Sequence, residues 1–224
     1  MRLLLISSST VHGYGFLDQP APEIRAFLGS GERVAFVPFA AHDHAAYTAK
    51  VRERLARMSL EVIGVEEVKR ADAVFVGGGN TFRLLKTLYD RKLLGVIRGL
   101  VGEGLPYIGS SAGTVIAAPT MRTTNDMPIV YPPSFDSLGL VSFQINPHYL
   151  DADPHSTHKG ETREDRIREF HEENAAPVVG LREGSSLRVI DGVTTLLGEK
   201  TARVFRRGRE AVEVEAGKID LSES

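Results

Sequence analysis

The sequence predicts an α/β fold in three layers, with a mostly parallel sheet flanked by helices and β-hairpins towards the C-terminal end. Three observations predict it. Short β-rich runs alternate with other segments through the first half, those segments keep helical spacing of apolar residues, and from Val178 onward strands and turns replace that alternation.

The strands expected in order are Arg2 to Ser7 ("RLLLIS"), Arg33 to Phe39 ("RVAFVPF"), Leu60 to Val65 ("LEVIGV"), Ala71 to Gly79 ("ADAVFVGGG") and Leu105 to Ser110 ("LPYIGS"). Between them, Ile24, Phe27 and Leu28, then Val51, Leu55 and Met58, then Phe82, Leu85, Leu88 and Tyr89 recur as one face of a helix would. These stripes are core faces. Ala112 to Ala118 suits a further helix, limited by Pro119. "VSFQINPHYL" reads as another strand ending at Pro147, and "ETREDRIREFHEEN" as a charged helix capped by Thr162 with Asp165 three residues on. Asp191-Gly192 marks a hairpin between "SLRVI" and "TTLLG", and "ARVFRRGREAVEVEAG" reads as a second hairpin.

A chain of 224 residues can bury a substantial core in one domain, and no repeat, low-complexity tract or linker divides it, so a single domain over 1–224 is expected. With 42% hydrophobic and 25% charged residues it reads as soluble, and a net charge of -2 leaves no electrostatic footprint for nucleic acid or a membrane. A small molecule is the expected partner. The absence of cysteine excludes disulfides, thiolate metal sites and cysteine nucleophiles. The start "MRLLLISSST" is too short in its apolar run for a signal peptide, and no run of apolar residues is long enough for a membrane helix, so the cytoplasm is the expected location.

Open parallel sheets bind ligands beyond the carboxyl ends of their strands. Here those ends carry "SSST", "PFA", "GGGNT", "GSSAG" and "NPH". Gly109-Ser110-Ser111-Ala112-Gly113 fits G-x-S-x-G, the nucleophile elbow, in which small neighbours let the backbone turn sharply at a serine. The motif also occurs as an ordinary turn, but here it ends an expected strand and opens an expected helix. Ser111 is therefore the candidate nucleophile, and the Ala112 N–H a candidate donor to an oxyanion.

"VGGGNT" also joins a strand to a helix, yet Phe82 stands where G-x-G-x-x-G needs glycine and no G-K-[ST] follows, so neither nucleotide fingerprint is complete. A glycine there can supply the second oxyanion donor, with Gly79 the candidate. Of seven histidines only His148 lies just past an apolar strand, where it could serve as the base. Asp126 in "RTTNDMP" and Glu183 in "LREGS" could each orient that base, because triads are defined by geometry rather than chain order. Spacing does not choose between them. Asp151, Asp153, His155 and His158 lack a regular ligand frame, so no metal is expected.

Taken together, "VGGGNTFRLLK", "YIGSSAG", "RTTNDMPIV", "QINPH" and "HKGETREDRIRE" resemble the peptidase E family of α-aspartyl dipeptidases, which are serine peptidases. The resemblance runs from "LLLISSST" to "EAVEVEAG". It implies a flavodoxin-like sheet similar to class I glutamine amidotransferases, and hydrolysis of dipeptides with an N-terminal aspartate without a cofactor. It implies Ser111 as nucleophile, His148 as general base, Gly79 and Ala112 as the oxyanion hole, and Arg163 with Asn80 in substrate binding. Glu183 is favoured as the partner of His148, with Asp126 a second acid for the substrate amine or the shape of the site. Ser110 departs from the tryptophan of some members, and the loop from His148 to His158 departs in length. Two alternatives keep the same fold: a cyanophycinase-like peptidase, which cleaves a β-aspartyl-arginine polymer, and a non-catalytic protein using "GGGN" to hold an anion. Monomer and homodimer are both compatible with the resemblance.

Overall fold

A computed structural model of the protein describes residues 1–153, 155, 157 and 160–221. Its larger sheet is built outward from β1 (Arg2–Ile6). On one side β5 (Tyr107–Ser110), β4 (Ala73–Val76), β2 (Arg33–Val37) and β3 (Glu61–Gly64) follow in parallel, as the alternating first half requires. On the other, β8 (Ser185–Ile190), β9 (Val193–Gly198) and β12 (Gly217–Ile219) continue antiparallel. The hairpin between β8 and β9 turns at Asp191 and Gly192, with φ of 49° and 82°, the paired left-handed values of a type I′ turn.

Period-2 alternation along β1 separates the layers. Leu4 and Ile6 pack under α1 (Ala21–Leu28) and α2 (His44–Ala56), with Ile24, Phe27, Val51 and Leu55. Leu3 and Leu5 face the opposite core, which holds Leu84, Leu85 and Leu88 of α3 (Thr81–Asp90) and Ile97 and Val101 of α4 (Leu93–Gly102). Among the described residues no helix is long and apolar enough to cross a membrane.

Two expectations are corrected. "QINP" does not extend the parallel sheet: β6 (Gln144–Pro147) starts a second sheet, ordered β11, β10, β7, β6, with β7 (Val178–Leu181), β10 (Ala202–Phe205) and β11 (Val212–Val214). An apolar run announces a buried strand but not its partner. Here α6 (Arg163–Glu173) returns the chain from β6 to pair in parallel with β7, making a βαβ unit of its own. The capping box expected at Thr162 and Asp165 opens that helix. The helix after Ser111 is also shorter than Ala112 to Ala118. As α5 it spans Ala112–Val115, because the carbonyls of Ile116, Ala117 and Ala118 accept N–H groups from Leu138, Leu140 and Gly139 instead of helical donors.

Candidate active site

The elbow is held by close backbone contact. Ser111 has φ 52° and ψ -109°, a left-handed conformation that costs a non-glycine residue energy and is kept only where the surroundings enforce it. Its N–H donates to the Ile6 carbonyl at 3.0 Å, and Thr114 Oγ1 donates to Ile6 O at 2.7 Å and Gly109 O at 2.9 Å. A Cβ on Gly109 would lie 2.5 Å from Gly113 O, and one on Gly113 would lie 2.1 Å from Val76 O. Only glycine lets the turn pack against β4.

His148 follows β6 and also has a positive φ, 54°. Its backbone N–H donates to Ser7 Oγ at 3.0 Å, and the same fully buried hydroxyl donates to Leu181 O at 2.8 Å. The imidazole is thereby carried to the end of β1 and β5. His148 Nε2 lies 2.8 Å from Ser111 Oγ, and His148 Nδ1 lies 2.6 Å from Glu183 Oε1. A neutral imidazole protonated on Nδ1 satisfies both, donating to the carboxylate and accepting from the serine hydroxyl.

Glu183 stands in the turn after β7, beside an anchored neighbour. Arg182 grips Asp151 with two bonds, Nε to Oδ2 at 2.9 Å and Nη2 to Oδ1 at 2.7 Å, and it also meets Glu213 and the Thr201 carbonyl. These carboxylates raise the Arg182 pKa above its ordinary value, Asp151 foremost.

Asp126 lies elsewhere. Its Oδ2 accepts the Thr81 N–H at 2.7 Å, Thr81 Oγ1 at 2.6 Å and Thr124 Oγ1 at 3.2 Å, placing a carboxylate on the N-terminus of α3. The structure thus joins Glu183, and not Asp126, to His148. Asn80 belongs to the same cap: its Oδ1 accepts the Arg83 N–H at 3.0 Å and its Nδ2 donates to Met127 O at 2.9 Å.

From Gly77 to Asn80 the backbone donors are nearly all engaged. Gly77 N–H meets Val37 O at 3.1 Å, Gly78 N–H the Tyr47 hydroxyl at 3.0 Å and Asn80 N–H the Ala40 carbonyl at 2.9 Å. Among the described residues Gly79 N–H has no acceptor, and neither has Ala112 N–H at the start of α5. Gly79 has φ 134°, and a Cβ there would fall 2.5 Å from Ala40 O, so this donor too requires glycine. Burial pushes the Tyr47 phenol up to about 12, which keeps its hydroxyl protonated.

Ser111, His148 and Gly79 line a cleft of about 300 Å³ whose other wall includes Phe16, Tyr47 and Lys50. Arg163 is not in that cleft. It opens α6 and lines a second cavity, of about 480 Å³, with Asn125, Asp151, Asp153 and Arg166. Burial, then the neighbouring Arg166, lowers its pKa below the ordinary arginine value, and among the described residues its guanidinium has no ion-pair partner. Asn125, unremarked in "RTTNDMP", connects the two regions: it lines the Arg163 cavity while its Nδ2 donates to Pro147 O at 2.9 Å, next to His148. His158 and Lys159 lie outside the described residues. Among the described residues no group of three His, Cys, Asp or Glu side chains is placed to hold a metal ion.

A serine on a strand-to-helix elbow, in line with a histidine and a carboxylate and beside free backbone donors, defines a serine hydrolase by geometry. Comparison with known proteins narrows the class. The profile of "Peptidase family S51" matches residues 3–197, and the chain belongs to that family of serine peptidases. Peptidase E of Streptomyces coelicolor is 58% identical, with 100% of this chain and 94% of that protein covered. The probable alpha-aspartyl dipeptidase of Drosophila melanogaster is 49% identical, covering 92% of this chain and 90% of that one. A putative peptidase E protein from Listeria monocytogenes shares the fold with a TM-score of 0.68 at 23% identity, over 89% of this chain and 98% of that chain.

Proposed function

We propose that this protein hydrolyses dipeptides with an N-terminal aspartate through an acyl-enzyme on Ser111. The observation that carries the reading is the hydrogen-bonded line Glu183–His148–Ser111 beside the unengaged N–H groups of Gly79 and Ala112. The substrate class is supported by the name of the Drosophila relative and by the motifs from "GGGN" to "GETRE".

His148 Nε2 takes the Ser111 proton as Oγ attacks the carbonyl carbon of the aspartyl residue. The carbonyl electron pair moves onto oxygen, where Gly79 and Ala112 donate to it; losing one such donor typically costs about 2.7–4 kcal/mol of transition-state stabilisation. Glu183 holds the Nδ1–H tautomer and stabilises the imidazolium. Collapse of the tetrahedral intermediate breaks the C–N bond, and His148 Nε2 gives its proton to the departing amine. Water, deprotonated by the same nitrogen, then attacks the ester; the C–Oγ bond breaks, His148 Nε2 returns the proton to Ser111 Oγ, and aspartate is freed.

Asp126 acts through structure in this scheme: by pinning Thr81 it fixes the segment that presents Gly79. Arg163 reads the aspartate carboxylate from the neighbouring cavity, its charge having no other partner among the described residues. The test is a side-by-side assay of the purified protein in EDTA with Asp-Leu, Asn-Leu, a longer aspartyl peptide and cyanophycin. Asp-Leu is expected to be hydrolysed fastest. Preferential cleavage of cyanophycin, or loss of activity with EDTA, would overturn the reading.

A further inference from the structure

We infer that the cleft beside Ser111 is the leaving-group subsite, and that Lys50 there receives the C-terminal carboxylate of the substrate. The inference rests on the dipeptidase reading above, because it assigns the other cavity, with Arg163, to the aspartyl residue. An Asp-Xaa dipeptide carries a carboxylate on each residue, and each cavity offers a cation with no ion-pair partner among the described residues: Arg163 in one, beside an Arg166 that pairs with Glu161 at 3.5 Å, and Lys50 in the other.

Tyr47 and Lys50 are three residues apart on α2 and so share one helix face. Both line the cleft together with Ser111, His148 and Gly79. Tyr47 fixes the glycine segment through Gly78, while Lys50 places its Nζ 4.2 Å from the centroid of the Phe16 ring. A cation over an aromatic face is steadied in position. The nearby acids do not neutralise it: Asp18 pairs with Arg54 at 2.9 Å and Glu53 with Arg57 at 2.6 Å, and among the described residues no carboxylate comes within 4 Å of Lys50 Nζ. Phe16, Tyr47 and Ala41 supply an apolar wall for the side chain of the leaving residue.

The chemistry places Lys50 on one half of the reaction. The leaving amino acid carries the C-terminal carboxylate, whereas the acyl-enzyme keeps only the aspartyl residue. A cation bound to that carboxylate therefore favours acylation of free dipeptides over amidated or extended ones.

The test compares Asp-Leu with Asp-Leu amide, and Asp-Leu with Asn-Leu, in the wild type, Lys50→Met and Lys50→Arg, by kcat/KM. The wild type is expected to favour the free acid over the amide about twofold to fivefold, the scale of one partly solvated charge pair. In Lys50→Met the two rates should converge because Asp-Leu slows, while the Asp-over-Asn ratio stays. Lys50→Arg should retain the preference for the free acid. No preference in the wild type, or an undiminished one in Lys50→Met, overturns the assignment while leaving the dipeptidase reading intact. Collapse of the Asp-over-Asn ratio in Lys50→Met also overturns it, by assigning Lys50 to the aspartyl side chain. Failure of the wild type on both Asp-Leu and its amide sinks the dipeptidase reading, and this assignment with it.

Discussion

Ser7 Oγ accepts the His148 backbone N–H at 3.0 Å while donating to the Leu181 carbonyl at 2.8 Å, so one buried hydroxyl at the end of β1 fastens two strand ends of the second sheet. Those ends carry His148 and, two residues beyond Leu181, Glu183. Ser7→Ala leaves a buried N–H and a buried carbonyl without that partner, a defect of about 1–3 kcal/mol. The expected outcome is a lower melting temperature and a kcat lowered about tenfold or more, with KM for Asp-Leu changed less, because the base is displaced rather than the substrate pockets. Unchanged kcat would mean that His148 is positioned without Ser7.

The two acids separate by what they touch. Glu183→Gln removes the charge facing His148 Nδ1 and should lower kcat about 10²–10⁴-fold with the melting temperature nearly kept. Asp126→Asn puts an amide where Oδ2 now accepts from Thr81, so it should lower stability measurably and affect turnover through the Gly79 segment. The opposite pattern, a stable but inactive Asp126→Asn with a nearly active Glu183→Gln, would exchange the roles.

Arg163→Met tests the aspartyl pocket. A guanidinium paired to the substrate carboxylate should give an Asp-Leu over Asn-Leu preference of about 10²–10³-fold, since each 1.36 kcal/mol is tenfold in rate. The variant should erase most of it by slowing Asp-Leu. Retention of the full ratio would move the role to another cation.

His171 supplies a pH signature away from the catalytic groups. It lies in the last turn of α6, buried, with Nε2 3.1 Å from the Ala176 carbonyl, and burial pushes its pKa below the ordinary value near 6.5. The unfolded chain then binds a proton that the folded chain refuses, so stability is full above that ordinary value and falls as pH drops below it towards the folded pKa. Urea unfolding at a series of pH values should show this loss in the wild type and a shallower one in His171→Gln. Identical slopes would remove His171 as the cause.

The parts legible in the sequence were those with a local signal. G-x-S-x-G marks a strained turn because its glycines are needed within five residues of chain, and Pro147 marks the strand end that bears His148. The capping box at Thr162 and Asp165 is likewise local. What escaped depends on distant partners. No spacing could place β6 in a second sheet, since its pairing with β7 is made across α6. Helix α4 carries Gly95, Gly99 and Gly102, which oppose helix formation, and it is held by burial of Leu94, Ile97 and Val101. Spacing alone does not choose between Asp126 and Glu183, and only the resemblance favours Glu183; the donors of Thr81 and Thr124 that claim Asp126 belong to the fold. Ser7 showed only as part of "SSST", and Tyr47 and Lys50 as ordinary residues of a helix.

Covalent catalysis here depends most directly on Ser111. Its Oγ is the atom 2.8 Å from His148 Nε2, and Ser111→Ala removes that oxygen while leaving the glycine contacts of the elbow in place. With Asp-Leu as substrate and EDTA present, the variant should keep the wild-type melting temperature and lose at least about 10³-fold in kcat, the loss expected when a covalent nucleophile is deleted. Turnover within tenfold of the wild type in a folded Ser111→Ala protein would contradict it.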